Sequence, residues 1–245
     1  MKVTIIGCGE AFDERFPNTS ALVEGPTTML CDCGYSVPPA IWKAGIDRDA
    51  IDTIYISHAH ADHYFGLPAL LGRMWEDGRK KPLTIVSQEA VLAQIRDLMD
   101  YGYRTLSKRF EYAIEYRAAE DGLDVGGFMF SFAPTIHSVT NLLVRLEAGG
   151  KSVCYSGDGM FTAESRERVR GADLVIHEAY WFEESPVHGD IPRLLTMAKE
   201  EGVKELALVH VHRWLRGTGN GRIEEAMRHA GLKVTMPEPG AVWTL

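Results

Sequence analysis

Three histidines and an aspartate fall within six residues, His58-Ala59-His60-Ala61-Asp62-His63, directly after the run Thr53–Ser57. No other feature constrains the chain as tightly. Thr-Ile-Tyr-Ile-Ser is β-branched and aromatic, and reads as a strand. His58 and His60, two apart at a strand's end, can point the same way. Asp62 and His63 are neighbours whose side chains diverge as the chain turns into a helix near Gly66. One tight loop can then offer two ligands to one metal ion and two to a second. Imidazole with carboxylate suits Zn²⁺, and also Mn²⁺ or Fe²⁺. Ca²⁺ and Mg²⁺ prefer oxygen. A merely solvated loop gives no reason for this composition.

The set must be completed from elsewhere. His137 follows the β-rich run Phe128–Ala133, Asp158 follows Ser152–Ser156, and His210 ends Glu205–Val209. Each sits just past a strand candidate, as His58 does. Rigid strand ends are good platforms for ligands whose positions must be fixed.

Further strands are expected at Val3–Ile6, Ser20–Glu24, Thr28–Cys31, Leu83–Val86, Asn141–Leu146, Leu174–Ile176 and Ala241–Thr244. Helices are expected at Gly66–Trp75, Gln88–Asp100, Ala163–Arg170, Asp190–Glu201 and Arg222–Ala230. Val91, Leu92, Ile95, Leu98 and Met99 recur at helical spacing within the second of these. Short loops are read at 76–82, 119–127, 147–151 and 216–221. No repeat or linker interrupts the pattern, so one α/β domain over residues 1–245 is expected, with sheets packed together and helices outside.

With 45% hydrophobic and 24% charged residues, the composition is globular rather than disordered or rod-like. A net charge of −8 argues against broad, sequence-blind nucleic-acid binding. No apolar run approaches the ~20 residues of a membrane span. The N-terminal apolar run breaks at Gly7-Cys8-Gly9, so no signal peptide is read and a cytoplasmic location is expected. Cys8, Cys31, Cys33 and Cys154 make no disulfide framework and read as small buried residues.

The H-x-H-x-D-H motif, with a later His, an Asp and a last His, resembles the metallo-β-lactamase superfamily. The local words are most similar to its ribonuclease Z-like phosphodiesterase branch. Asp32-Cys33-Gly34 resembles the D-x-G that supports the metal loop, and His58 to Leu67 resembles the branch's H-x-H-x-D-H-x-x-G-L. Ile176-His177-Glu178-Ala179 resembles its H-E-A segment, and Leu208-Val209-His210 its closing L-T-H. His188 sits where the branch places a catalytic histidine. The resemblance runs from Gly7 to about Trp214.

The resemblance implies a four-layer αβ/βα sandwich with two mixed β-sheets and a dinuclear site along one edge. It implies two divalent ions, zinc first, with manganese or iron as alternatives. His58, His60 and His137 would hold one ion, and Asp62, His63 and His210 the other, with Asp158 bridging. Such an open ligand set leaves room for a bridging hydroxide, as catalytic sites do. Asp62 is thereby also counted with the catalytic groups, beside His188 as proton donor and Glu178 orienting it. A homodimer is expected by family analogy.

These residues point to a metal-dependent hydrolase, foremost a phosphodiesterase. The short run between His137 and Asp158 has no room for the long arm with which tRNA-processing relatives grip tRNA. A small or short single-stranded phosphodiester, such as a cyclic nucleotide or other cyclic phosphate, is therefore favoured over tRNA. Lactone, thioester or sulfate-ester hydrolysis is the alternative, because one ligand set serves several chemistries. A non-catalytic small-molecule carrier is the alternative of another class.

Other signals divide between two readings. Tyr101 to Arg117 interleaves aromatics with bases and could stack nucleic-acid bases, or could be an amphipathic segment with its aromatics in the core, which is preferred. Arg213 and Arg216 could meet a substrate phosphate. His177 reads as structural, His212 as a weaker ligand candidate than His210, and His229 as solvated. Gly7-Cys8-Gly9 begins like a dinucleotide fingerprint, but Phe12 stands where a glycine is required.

Overall fold

The computed structural model describes residues 1–217 and 220–245. Strands β1 (Lys2–Gly7), β2 (Ser20–Glu24), β3 (Thr28–Cys31), β4 (Thr53–Tyr55), β5 (Leu83–Ser87) and β6 (Ile114–Ala118) line up in chain order. A second sheet takes β7 (Leu123–Val125), β8 (Phe128–Ile136), β9 (Leu142–Ala148), β10 (Lys151–Tyr155), β11 (Met160–Phe161), β12 (Leu174–Glu178), β13 (Glu205–Val209) and β14 (Lys233–Thr235). Its order is β11-β8-β9-β10-β12-β13-β14, with β7 against β8. Strand β15 (Val242–Thr244) returns to pair antiparallel with β1.

Both sheets are mixed in the same way. Antiparallel β1-β2-β3 leads into parallel β3-β4-β5-β6. Antiparallel β8-β9-β10 leads into parallel β10-β12-β13-β14. Hence β1, β3 and β4 run one way in the first sheet, as do β8, β10, β12 and β13 in the second. The loops that follow these strands emerge along common edges, and those loops carry the candidate site.

The strands alternate between two buried faces. In β3, Met29 and Cys31 point into a core shared with Phe128, Phe130, Val144, Leu146 and Ile176 of the other sheet. Leu30, between them, points outward beneath helices. Strands buried on both faces read as nearly continuous apolar runs. Helices α1 (Val37–Lys43), α2 (Ala61–Tyr64), α3 (Leu67–Glu76) and α4 (Glu89–Gly102) lie on the first sheet's side. Ile41, Leu67, Leu71, Leu92 and Ile95 pack there with Ile54 and Ile85. Helices α5 (Ala163–Val169), α6 (Ile191–Glu200), α7 (Arg213–Gly217) and α8 (Asn220–His229) lie on the second. Val169, Leu194, Leu215 and Ile223 pack there with Val175 and Leu206. The result is the helix–sheet–sheet–helix sandwich that the motif resemblance implies.

The departures from the pattern reading have local causes. The expected strand Thr53–Ser57 ends at Tyr55, because Ser57 turns its N–H and hydroxyl to the Asp32 carboxylate. The strand expected at Phe128–Ala133 runs on to Ile136 and so delivers His137 to the edge. Helix α1 had no counterpart in the pattern; its prolines fall at the first helical positions, where a missing N–H costs nothing. The stretch from Tyr101 to Arg117 splits: Tyr101 and Tyr103 are exposed, while Tyr112 is buried and Tyr116 lies in β6. Of the loop expected at 216–221, residues 218 and 219 lie outside the described residues, and helices flank them. All four cysteines are buried free thiols. Among the described residues, no helix is long and apolar enough to cross a membrane.

Candidate active site

The site begins with Asp32, which is wholly buried just past β3 and holds a left-handed backbone (φ 57°). A non-glycine residue there is strained, and such strain is retained where surrounding contacts over-determine it. Asp32 Oδ1 accepts the Ser57 N–H at 2.8 Å. Oδ2 accepts the Ser57 hydroxyl at 2.7 Å, the His63 Nδ1–H at 2.7 Å and the Tyr155 hydroxyl at 2.8 Å. Next along the chain, the Cys33 N–H donates to the His63 carbonyl at 2.7 Å. Gly34 lies so close to this loop that a Cβ would meet the Asp62 carbonyl oxygen at 1.9 Å. Asp32-Cys33-Gly34 thus braces the histidine loop from below.

Four histidines have an acceptor for Nδ1, which leaves Nε2 with its lone pair. His63 donates to Asp32. His137 donates to the Val187 carbonyl at 2.9 Å. His58 Nδ1 lies 3.0 Å from Ser57 Oγ, whose own proton goes to Asp32. His210 Nδ1 lies 3.3 Å from Thr19 Oγ1, whose proton goes to the Gly9 carbonyl. Partners of this kind set the tautomer and orientation of metal-binding imidazoles. His210, like Asp32, has a left-handed backbone (φ 56°).

The lone pairs converge on Asp158. Its Oδ2 lies 3.4 Å from His210 Nε2 and 3.9 Å from both His58 Nε2 and His137 Nε2. Its Oδ1 lies 3.4 Å from His63 Nε2. Asp62 Oδ2 is 3.2 Å from His63 Nε2, and His60 Nδ1 is 3.1 Å from His137 Nε2. Donor atoms of His58, His60, His137 and Asp158 form one group within 4.8 Å, and those of Asp62, His63, Asp158 and His210 form another. Asn141 holds the shared carboxylate's backbone: its Oδ1 accepts the Asp158 N–H at 3.1 Å.

This donor set fits divalent metal. His58 Nε2, His63 Nε2 and Asp158 Oδ1 are buried without a hydrogen-bond partner. An unsatisfied buried polar atom costs about 1–3 kcal/mol, and three facing one space call for a common acceptor of lone pairs. Burial, then the neighbouring His63, pushes the His58 pKa down, which keeps its ring neutral. Burial would raise the Asp158 pKa, but His210 and His63 outweigh it and hold the carboxylate ionised.

A second group stands beside the cluster. Glu178, wholly buried at the end of β12, accepts the His188 Nδ1–H on Oε1 at 2.8 Å. Its Oε2 accepts the backbone N–H of Gly159 at 2.8 Å and of Gly189 at 3.0 Å. His188 is stacked on Tyr180 with centroids 4.4 Å apart. Burial disfavours charge on His188, but Glu178 overcomes it and raises the pKa. Both clusters border a cavity of about 360 Å³, lined also by Phe12, Tyr35 and Ser138.

All nine residues singled out from the sequence therefore lie at one site. Other candidates do not. His212 is stacked on Trp181 at 4.4 Å and is outside both donor groups. Arg213 is ion-paired with buried Glu10, Arg216 is buried with its guanidinium on the Pro237 carbonyl, and neither lines the cavity beside the cluster. His177 is buried with Nδ1 on the Glu178 carbonyl, and His229 is on the surface of α8. Asn141, Thr19, Val187 and Tyr180 went unread. Thr19 and Val187 act through contacts distant in sequence, and Asn141 and Tyr180 through contacts between neighbouring loops.

Two facing mixed sheets with helices outside and a His/Asp cluster at one edge define a metallo-hydrolase of the metallo-β-lactamase fold, related to ribonuclease Z. The chain superposes on YhfI, a metallo-β-lactamase fold protein from Bacillus subtilis, with a TM-score of 0.83 at 25% identity, over 99% of this chain and 98% of that one. A ribonuclease Z of Methanosarcina acetivorans is 27% identical over 270 residues, 86% of this chain and 87% of the relative. Within this class, the chain belongs to the family described as anti-Pycsar protein Apyc1, whose model matches residues 1–218. An anti-Pycsar protein Apyc1 of Bacillus phage 010DV004 is 30% identical over 233 residues, 86% of this chain and 88% of its own.

Proposed function

We propose that this chain is a metal-dependent phosphodiesterase acting on small or short single-stranded phosphodiesters, with a cyclic phosphate the simplest substrate that fits. The observation that carries the reading is the convergence of two donor groups on Asp158 beside the Glu178–His188 pair. His58, His60 and His137 are assigned to one ion, Asp62, His63 and His210 to the other, and Asp158 to both. Zinc is the expected metal, with manganese or iron as alternatives. Two such ions would acidify a water and offset the charge of a phosphoryl group.

The chain's own residues supply the rest. Glu178 fixes His188 through Nδ1, so Nε2 is the nitrogen left for substrate. As water adds to phosphorus and the P–O bond to the leaving alkoxide breaks, His188 delivers its proton to that oxygen. Chain connectivity supports a small substrate: between His137 and Asp158 the chain forms only the β9–β10 hairpin, with no inserted arm. Relatives named ribonuclease Z carry phosphodiester cleavage in their name. Residues 1–245 are read as one hydrolase domain.

The test is hydrolysis of bis-p-nitrophenyl phosphate by metal-stripped protein, restored with Zn²⁺ or Mn²⁺, beside lactone, thioester and sulfate-ester panels. Metal-dependent turnover of the phosphodiester is expected. Turnover confined to another ester would discard phosphoryl transfer, and silence on all panels with metal bound would favour the carrier.

A further inference from the structure

His188 stands on a loop, residues 182–189, that forms neither helix nor strand. The neck of this loop is closed. The Trp181 N–H donates to the Gly189 carbonyl at 3.3 Å, and the Trp181 carbonyl accepts the Ile191 N–H at 3.0 Å. Its outer side is tied by Glu183 to Arg222 at 2.7 Å and by Glu184 to Arg193 at 3.0 Å, exposed pairs of the kind that hold little. The histidine therefore depends on what meets its ring. Glu178 anchors Nδ1. One hydrogen bond fixes one ring atom and leaves the ring plane free to tilt. That plane decides where Nε2 points.

A row of four rings sets the plane. Tyr180 is stacked on His188, with centroids 4.4 Å and planes 25° apart. His212 meets Tyr180 edge-on, at 5.2 Å and 89°. His212 is itself stacked on Trp181, at 4.4 Å and 17°, so the row returns to the neck of the loop. The backbone joins the same residues: the His212 N–H donates to the Tyr180 carbonyl at 3.1 Å. Stacked and edge-to-face ring pairs have defined geometries and resist tilting. His212 belongs to neither donor group, yet it has a place in the site as the support of Tyr180. Tyr180 and His188 line the same cavity as Asp62 and Asp158.

We propose that Tyr180, buttressed by His212, is a positioning residue that holds the His188 ring so that Nε2 faces the leaving oxygen. This rests on the phosphodiesterase reading and adds to it the group that orients its acid. Nε2 gives its proton to the alkoxide oxygen as the P–O bond breaks, and the Nδ1–H stays on Glu178. The ring face of Tyr180, rather than its hydroxyl, sets the orientation.

The test separates a misplaced acid from a damaged fold. Kinetics on the zinc-loaded protein compare methyl p-nitrophenyl phosphate with methyl phenyl phosphate, whose leaving oxygens differ in how much they need a proton. Tyr180→Leu should lower kcat on the phenyl ester by about tenfold to a hundredfold, and on the nitrophenyl ester by less, with KM and bound metal unchanged. Tyr180→Phe should stay near native on both esters. His212→Ala should show the same selective loss, but smaller. The ring protons of His188, assigned by their absence in His188→Gln, should lie upfield in the NMR spectra of the native protein and of Tyr180→Phe. In Tyr180→Leu they should return to ordinary positions. Equal losses on both esters, a loss in Tyr180→Phe as large as in Tyr180→Leu, or no upfield shift in the native protein would overturn the proposal. Loss of metal in Tyr180→Leu would also overturn it, because Val187 of the same loop holds His137 and the whole loop would then have moved. The upfield shift without hydrolysis of either ester would keep the positioning and sink the phosphodiesterase reading. Hydrolysis of both esters without a selective loss would do the reverse.

Discussion

His63 Nδ1 donates to Asp32 Oδ2 at 2.7 Å, and both side chains are fully buried. The same oxygen accepts two hydroxyls, so one carboxylate orients His63, Ser57 and Tyr155 together. Asp32 touches no metal donor group itself except through His63, which it turns so that Nε2 faces Asp62 and Asp158.

Asp32→Asn should therefore weaken metal binding without removing a ligand. An amide presents one N–H where the carboxylate presented a lone pair, and the His63 tautomer loses its anchor. Loss of such a partner typically costs 10–100-fold in metal affinity. Titration with Zn²⁺ should show the loss at one of two sites; two unaltered affinities would refute the role.

His210 and His212 separate two candidate ligands. His210→Ala should reduce bound metal below two equivalents per chain. His212→Ala should leave metal content unchanged, since its ring packs on Trp181. Elemental analysis after gel filtration decides between them, and the opposite pattern would reverse the assignment.

His188→Ala should lower kcat by about 10²–10⁴-fold with metal content intact, as loss of a general acid does. Glu178→Gln should lower kcat less, because the ring remains but its orientation loosens. Metal loss in His188→Ala would move this histidine into the ligand set instead.

Chelation should lower Tm. A metal at a thousandfold excess over its Kd stabilises by about 4 kcal/mol per site. For a chain of this length each kcal/mol shifts Tm by about 2–4 °C. Stripping with EDTA should cost roughly 8 °C or more, regained on adding Zn²⁺. A Tm indifferent to chelator and metal would argue against a tightly held ion.

Away from the site, Glu201 carries a pH-dependent contribution. Arg166 donates to Oε1 at 2.9 Å and Arg170 to Oε2 at 3.0 Å, and these two bonds hold the carboxyl below its ordinary range. A depressed folded-state pKa means stability present above the unfolded value of about 4.3 and lost as pH falls through the folded one. The arginines are partly solvated, so Glu201→Gln should cost only about 0.5–1 kcal/mol at pH 7. Urea unfolding should show that difference shrinking as pH drops below about 4. A constant difference across pH would exclude the ionic origin.

The clustered donor residues were legible in the linear sequence because their chemistry is carried by residue type and by position after β-rich runs. His58, His60, Asp62 and His63 are close along the chain, and one strand-to-helix turn brings them together whatever the remainder does. The helix–sheet–sheet–helix layering was likewise foreshadowed, since strands buried on both faces and helices buried on one stripe leave different apolar periods. The tertiary structure alone decided which nitrogen each histidine presents. That depends on Thr19 for His210, 191 residues away, and on Val187 for His137, 50 residues away. It alone paired Arg213 with Glu10 and Arg216 with the Pro237 carbonyl, away from the cavity lining. It alone brought Phe12 and Tyr35 to the same cavity as Asp158 and His188. A hydrogen bond or ring contact between distant segments leaves no periodicity and demands no particular residue type, so only the folded chain reveals it.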